Sequence, residues 1–417
     1  MDRWTYPSQR LLMCGITVWN WLVDSARLRV LFLTPYFRPY LGGIERAIEQ
    51  LSFQMQQSDA VEAVGVLTTK YSFPRRPQPT WEDQETTPEG IAIYRLSGFP
   101  RRSLPLHSVP LVWFSPLKLK KYLDEFKPDV IHFVGDGWFW GHLWAWLLFR
   151  GRAKFVFTPS YHTLPPSKWW LKPINAFLCH ISDQVVALTS SEAEGVHRAY
   201  LAPKDKLGVI GWGASIYEKS DSIEADSTQQ REHGMPLTVL CVGRVGSHKG
   251  QRWLLDTYMR ARTQFNRPVR LVLVGRDEGG TTKIESFISR NGLHDEIIVT
   301  GEVSDSKLAE WYAEADLFAL FSRFEAFGLV FLEAMAHGTP VLTHDVGAIR
   351  EVLLQGAVVV PKFDADAAVN ELVRLVNDDT VRRELGLSAQ RYALSEFTWS
   401  AVAEKYLELY QHSGTVA

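Results

Sequence analysis

The sequence is poor in cysteine and carries almost no net charge. Only three cysteines, Cys14, Cys179 and Cys241, occur among its 417 residues. They are too few and too widely spaced for a disulfide framework or a cysteine zinc site, so a reducing compartment is favoured. The 45 Lys and Arg residues are balanced by 47 Asp and Glu residues, which argues against a nucleic-acid-binding protein. The hydrophobic content of 46% is typical of a globular chain, and the length predicts two or three domains.

The sequence also lacks an apolar run of the length that crosses a bilayer, which is about 20 residues. The run at 11–23 contains Asn20, is followed by Asp24 and has no small-residue cleavage site, so a signal peptide is not expected. The run at 138–149 is rich in Trp and is followed by basic residues, and a second cluster of Trp and Lys occupies 168–172. These segments are consistent either with buried helices or with contact to a membrane surface. We therefore expect a cytoplasmic protein, and a peripheral position on the inner face of the cell membrane stays an open alternative.

Several catalytic signatures are absent. The chain contains no GxGxxG dinucleotide fingerprint, no GxxxxGK[ST] phosphate loop, no GxSxG elbow and no HExxH zinc motif. Its Asp-x-Asp sequence, Asp364 to Asp366, precedes a helical pattern and is better explained as a helix cap than as a metal site. We expect no cofactor and no catalytic metal.

Short apolar segments typical of buried strands alternate along the chain with helical patterns, which predicts parallel α/β sheets. A first series of strands starts at 29–34 and closes near 209–213. A polar stretch without apolar periodicity follows at 215–234, and a second series starts at 237–242. The pattern predicts two doubly wound domains, and ligands of such sheets bind at the carboxyl ends of the strands. The cleft between two domains of this kind is a natural binding site.

The predicted organisation divides the chain into five parts. Residues 1–26 form an N-terminal extension, 27–213 a first Rossmann-like domain on the acceptor side, and 214–235 a linker. Residues 236–395 form a second Rossmann-like domain, and 396–417 a C-terminal helix.

The most informative segment runs from 321 to 338, where a predicted strand leads through a loop into a helix. Glu325 lies in the loop and Glu333 in the helix, so both carboxylates can face one ligand. The backbone amides of Phe327, Gly328 and Leu329 stand at the helix start, where they suit a phosphate or a polar sugar edge. Glu333 could accept hydrogen bonds from ribose hydroxyls and Glu325 from a sugar hydroxyl. Ordinary helix capping and a solvated Glu would give the same pattern.

A second segment places Arg244 and Lys249 between a strand that ends in glycine and the following helix. Two cations there could neutralise the charge of a departing diphosphate. The alternative is a pair of ordinary surface cations.

Two segments of the first domain complete the candidate site. Gly42 and Gly43 open a helix after the first strand, where glycine lets the backbone approach a phosphate closely. His162 follows another strand and could contact a reacting sugar or an acceptor hydroxyl. A plain strand-to-helix turn and a structural histidine are the alternatives.

These four segments, in this order, resemble the retaining GT-B glycosyltransferases of the large nucleotide-sugar-dependent family called glycosyltransferase family 4-like or "glycosyl transferases group 1". The most specific match is the E-x7-E pattern from Glu325 to Glu333, followed by the GR-x4-K pattern from Arg244 to Lys249. The resemblance covers the chain from about residue 27 to the end. It departs from the family at Gly211–Gly213, where an Asn-Gly turn is common, and this leaves the hinge geometry open.

The resemblance implies a GT-B fold, with two Rossmann-like domains facing each other across a cleft and the C-terminal helix crossing back to the first domain. It implies that Arg244 and Lys249 hold the donor diphosphate and that Glu333 binds the nucleotide ribose. Glu325 and the amides of 327–329 would lie against the donor sugar. Gly42 and Gly43 would cover the diphosphate, and His162 would face the sugar from the other side.

The resulting hypothesis is a retaining, metal-independent hexosyltransferase that uses a nucleoside-diphosphate sugar and a lipid-linked or glycan acceptor. A non-catalytic subunit that binds nucleotide-sugar or glycan, and a nucleotide-sugar epimerase with the same fold, are the alternatives. The nucleotide base, the sugar, the acceptor, the linkage and the oligomeric state do not follow from the sequence.

Overall fold

The structure is a computed structural model that describes residues 27–39, 42–72, 76–100, 112–135, 138–159, 171–215, 236–354 and 356–411. The predicted N-terminal extension, most of the predicted linker, residues 168–170 and His162 lie outside the described residues.

The N-terminal half is built on an eight-stranded sheet in which only the edge strand β5 runs antiparallel to its neighbour. Its strands, in spatial order, are β12 (Leu207–Val209), β11 (Gln184–Ala187), β10 (Lys154–Thr158), β9 (Val130–Val134), β1 (Leu28–Leu33), β2 (Val61–Thr69), β6 (Ala92–Leu96) and β5 (Gln84–Thr86). Its helices are α1 (Gly43–Gln56), α2 (Pro116–Phe126), α3 (Phe139–Phe149), α4 (Leu171–Ile181) and α5 (Ser190–Tyr200). Two small antiparallel pairs, β3 (Tyr71–Ser72) with β4 (Arg76–Pro77) and β7 (Gly98–Pro100) with β8 (Val112–Phe114), lie outside the sheet.

The C-terminal half is built on a six-stranded sheet that is parallel throughout. In spatial order the strands are β15 (Ile297–Gly301), β14 (Val269–Val274), β13 (Leu237–Val242), β16 (Leu317–Ala319), β17 (Val341–His344) and β18 (Ala357–Val360). The helices are α6 (Gln251–Ala261), α7 (Thr281–Asn291), α8 (Asp305–Glu314), α9 (Leu329–Ala336), α10 (Ile349–Val352), α11 (Ala365–Asn377), α12 (Asp379–Glu396) and α13 (Trp399–Gln411).

The central strands are apolar because helices cover both faces of each sheet, and this is why they read as continuous hydrophobic runs in the sequence. All six residues of β13 are buried, for example. The predicted fold class, an α/β fold with two largely parallel sheets, is therefore confirmed.

The last predicted strand of the first series is displaced. The strand is β12 at Leu207–Val209, and the apolar segment that follows is the connection out of the sheet. Trp212 in this segment is buried against Phe327 of the other half, with ring centroids 6.2 Å apart. Gly211 also lies against Phe327, since a Cβ at Gly211 would stand 2.9 Å from that ring. The Gly-Trp-Gly sequence thus forms an aromatic contact where the two halves of the chain meet.

The C-terminal helix α13 returns to the N-terminal half, as expected. Tyr410 places its hydroxyl 2.7 Å from Nδ1 of His132, a buried residue of β9. Lys154 at the start of β10 donates to the carbonyl oxygen of Leu409 at 2.5 Å. Burial lowers the pKa of His132 to about 3, so this imidazole stays neutral within the core.

No helix in the described ranges combines the length and the hydrophobicity that crossing a membrane requires.

Candidate functional site: a cleft between the two sheets

Two loops of the C-terminal half meet because the strands before them are neighbours. β13 and β16 are parallel and adjacent, so the segments after their carboxyl ends lie on the same edge of the sheet. Gly250 has φ +71°, and a Cβ there would stand 1.9 Å from the carbonyl oxygen of Phe321. The amide of Arg323 donates to the carbonyl oxygen of His248 at 2.8 Å. The glycine therefore permits the close approach that brings Lys249 and Glu325 together.

Lys249 and Glu325 form a shielded ion pair. Lys249 Nζ donates to Glu325 Oε1 at 2.8 Å, and the hydroxyl of Ser322 donates to the same oxygen at 2.6 Å. Glu325 is only 7% exposed. Its Oε2 accepts no hydrogen bond within the described part of the chain, so one acceptor atom of this fixed carboxylate is available for a ligand.

Arg244, in the same loop as Lys249, is paired with a different carboxylate. Its Nη1 donates to Glu278 Oε1 at 2.7 Å. Glu278 follows the carboxyl end of β14, the other neighbour of β13. The half-buried ring of His248 lies among these groups. Its pKa is lowered mainly by burial and further by the positive charges of Arg244 and Lys249. This histidine is therefore neutral near pH 7, and the net charge of the loop comes from the arginine and the lysine.

The third element is the start of α9. Gly328 precedes the helix with φ +86°, and a Cβ there would stand 2.6 Å from the ring of Phe331. The amides of 327–329 donate to no acceptor in the described part of the chain, as expected for the first residues of a helix. Further along the helix, Glu333 is buried, and its Oε2 accepts a hydrogen bond from the hydroxyl of Tyr312 at 2.8 Å. That hydrogen bond fixes the orientation of the Glu333 carboxylate.

The opposite wall of the cleft is the start of α1. Gly42 caps this helix, and its amide donates to Glu45 Oε2 at 2.8 Å. Burial raises the pKa of Glu45 to about 7, although hydrogen bonds and the positive charges of Arg244 and Arg276 favour its ionised form.

Direct contacts also join the two walls. Arg46 of α1 lies 2.8 Å from a carboxylate oxygen of Asp305 at the start of α8. On the hinge side, Glu351 of α10 accepts hydrogen bonds from the backbone amides of Ser190 and Ser191, the first residues of α5. The described conformation of the cleft is therefore held by polar contacts from both sides.

The structure thus brings together Gly42, Gly43, Arg244, Lys249 and Glu325 with the start of α9. The sequence reasoning missed Glu278, Glu45 and Ser322. Glu278 could have been found, because it too follows the carboxyl end of an apolar strand, β14. The roles assigned to these residues, and the role of His162, stay predictions. Among the described residues, no group of three or more His, Cys, Asp and Glu side chains has the proximity needed to hold a metal ion.

Comparison with known proteins gives matches in both halves of the chain. The family described as "Glycosyl transferases group 1" matches residues 236–378, and the one described as "Glycosyltransferase Family 4" matches residues 41–216. A D-inositol 3-phosphate glycosyltransferase of Xylanimonas cellulosilytica is 34% identical over 241 residues, which is 55% of this chain and 57% of that protein. The chain therefore spans little more than half the length of this relative.

Two further comparisons extend over nearly the whole chain. A phosphatidyl-myo-inositol mannosyltransferase of Mycobacterium leprae is 25% identical over 400 residues, covering 93% of this chain and 98% of that protein. The crystal structure of Anabaena Alr3699/HepE in complex with UDP has a TM-score of 0.70 at 20% identity, covering 92% of this chain and 99% of that one. At this identity the structural likeness shows the fold alone, which is GT-B.

Proposed function

The chain belongs to the group 1 glycosyltransferases with a family 4 type N-terminal half, and from this premise we propose that it transfers a hexose from a nucleoside-diphosphate sugar to a lipid-linked or glycan acceptor. We propose further that the anomeric configuration is retained and that no metal takes part. One relative is named for D-inositol 3-phosphate and another for phosphatidyl-myo-inositol. These names support an acceptor that is a phosphorylated or lipid-linked polyol.

One observation carries the proposal. Arg244 and Lys249 lie in one loop at the carboxyl end of β13, and each is paired with a carboxylate, Glu278 and Glu325 respectively. A donor diphosphate is an anion that can replace such partners, because it accepts charge-assisted hydrogen bonds from both cations at once. The same cleft offers the free amides of the α9 start, which suit phosphate oxygens.

The proposed roles of the acidic residues follow from their orientation. Glu325 Oε2 accepts a hydroxyl of the donor sugar, while Oε1 stays with Ser322. Glu333 accepts the ribose hydroxyls, and the hydrogen bond from Tyr312 orients its carboxylate. Gly42 and Gly43 cover the diphosphate from the other wall.

In the proposed reaction, the bond between the anomeric carbon and the leaving phosphate oxygen breaks, and the electron pair leaves with the diphosphate. The acceptor hydroxyl oxygen bonds to the anomeric carbon from the same face, and its proton passes to the leaving phosphate oxygen. Arg244 and Lys249 stabilise the negative charge that develops on the diphosphate. Positioning of both substrates in the closed cleft supplies the remainder of the rate increase.

A thermal-shift panel of UDP-, GDP- and ADP-sugars tests donor binding and identifies the base. We expect one class to raise the melting temperature of the parent and to have much less effect on Arg244→Ala. The matched control is Arg374→Ala on α11, where Arg374 pairs with Glu371 away from the cleft strands.

Turnover is measured as nucleoside diphosphate released with a panel of lipid-linked and polyol acceptors. Glu325→Gln keeps the shape of the side chain and removes its charge, and we expect about a 100-fold or greater loss of kcat. Normal turnover by this variant would contradict the proposed site. Tight donor binding without turnover on any acceptor would favour a non-catalytic binding subunit, and conversion of the donor without acceptor would indicate an epimerase.

A further inference from the structure

The outer side of helix α3 lacks the polar residues that a surface helix normally presents to water. Four of its 11 residues are buried, namely Gly141, His142, Ala145 and Phe149. The other seven are all Phe, Trp or Leu, and none of them is fully buried. Leu147 is 40% exposed. An outward-facing apolar surface of this kind marks a site of contact with a partner or a membrane.

Helix α4 extends this apolar surface. Phe177 is 40% exposed, and its ring centroid lies 6.4 Å from those of both Phe139 and Trp146 on α3. Phe139 and Trp146 are partly buried against the core of the N-terminal half, and their accessible parts form one surface with the exposed Leu147 and Phe177. We refer to Phe139, Trp146, Leu147 and Phe177 as the α3–α4 face.

One basic residue borders the α3–α4 face, and neither helix contains an Asp or a Glu. The guanidinium of Arg150, just after α3, lies 5.3 Å from the ring centroid of Trp146. Within the described residues no carboxylate pairs with Arg150, whereas most arginines of this described part of the chain have an acidic partner. The border of the face thus offers an unbalanced positive charge.

We propose that the α3–α4 face docks on the surface of an anionic lipid bilayer. Trp and Phe rings are favoured at the level of the lipid headgroups, and Arg150 would contact the lipid phosphates. A helix of 11 residues is about 16 Å long and cannot cross a hydrocarbon core of about 30 Å, so the face lies on the membrane.

A docked face would bring the N-terminal half close to a membrane-bound acceptor. Helix α3 follows β9, so it begins at the sheet edge from which ligands of a doubly wound domain are bound, and Trp146 and Leu147 lie about 10 Å further along the helix. The link between docking and a lipid-linked acceptor rests on the proposed function, whereas the docking itself does not.

Co-sedimentation of the full chain with phosphatidylcholine vesicles, with and without about 30% phosphatidylglycerol, tests the proposal. We expect binding to the anionic vesicles that weakens as salt is raised. Leu147→Glu with Phe177→Glu should lower the partition coefficient about tenfold or more, because two apolar contacts are replaced by charges that the lipid repels. Arg150→Gln should lower it less and should weaken the salt dependence.

The matched control is Leu387→Glu with Leu394→Glu on α12, two leucines that are 52% and 40% exposed. This variant should bind vesicles like the parent. Failure of the parent to bind anionic vesicles would overturn the proposal, and so would equal binding by the α3–α4 variant. A parent dimer that the α3–α4 variant abolishes in sedimentation velocity would instead assign the face to a second copy of the chain. Donor thermal shifts measured on the same samples separate a failure of docking from a failure of the proposed function.

Discussion

The pairing of Arg244 with Glu278 makes a specific prediction about product affinity. If the leaving diphosphate takes the place of Glu278 at Arg244, this carboxylate competes with the product. Glu278→Gln keeps a hydrogen-bond acceptor beside Arg244 and removes the charge. We therefore expect the nucleoside diphosphate to bind more tightly to the variant than to the parent.

The magnitude follows from the exposure of the pair. The Arg244 and Glu278 side chains are 37% and 23% exposed, and ion pairs of this kind contribute about 0.2–1 kcal/mol. Removing one negative charge roughly 5 Å from the diphosphate relieves about another 1 kcal/mol at the dielectric of water. Together these effects amount to about 1–2 kcal/mol, or roughly a 5- to 30-fold lower Kd.

Isothermal titration calorimetry with the nucleoside diphosphate of the identified donor measures the change. Glu371→Gln is the control, because it removes the charge from an ion pair of the same 2.7 Å length with Arg374 on α11. The control should bind like the parent. A Kd for Glu278→Gln within twofold of the parent value, or a weaker one, would refute the idea that Glu278 and the diphosphate compete for Arg244.

Three further predictions concern stability. Tyr410→Phe leaves the buried His132 without its hydroxyl partner and should lower the free energy of unfolding by about 1–3 kcal/mol, which chemical denaturation can measure. Gly250→Ala would place a Cβ 1.9 Å from a carbonyl oxygen and should destabilise the protein far more in thermal melts than Gly292→Ala, where no atom lies within 4 Å of the added Cβ. Burial raises the pKa of Glu45 from 4.5 to about 7, so its contribution to stability is complete below pH 4.5 and is lost as the pH rises through 7. The parent should therefore lose melting temperature between pH 5 and pH 8 relative to Glu45→Gln. A difference in melting temperature between the two proteins that stays constant over this range would count against this assignment.

The sequence predicted the central strands well because their environment is uniform. Strands covered on both faces need apolar residues at every position, and β13, whose six residues are all buried, occurs at the predicted bounds. The edge strand β5 was not predicted, since its three residues are polar and largely exposed. The strand expected at 209–213 was displaced because Trp212 is buried by contact with Phe327 of the other half rather than by the sheet. A local pattern does not distinguish these two kinds of burial.

The candidate site was predicted as far as it depends on the edge of a sheet. The rule that ligands meet the carboxyl ends of strands located Arg244, Lys249 and Glu325 correctly on one edge. The counter-charges did not follow, because the Arg244–Glu278 pair joins residues 34 positions apart and the Lys249–Glu325 pair joins residues 76 apart. Such pairs depend on strand order, which a single sequence leaves open.

The paired charges explain how the cleft can hold two neighbouring cations before a donor arrives. Lys249 is only 17% exposed, and a half-buried ammonium beside a guanidinium would be costly without a carboxylate. Glu325 offsets this cost for Lys249, and Glu278 offsets it for Arg244. The two carboxylates nevertheless differ in their surroundings. Ser322 fixes Glu325, whose second carboxylate oxygen accepts no hydrogen bond in the described part of the chain, whereas Glu278 belongs to the loop after β14 and holds Arg244. Under the proposed function, Glu325 would exchange Lys249 for the donor sugar during the reaction, and Glu278 would limit how tightly the product is held.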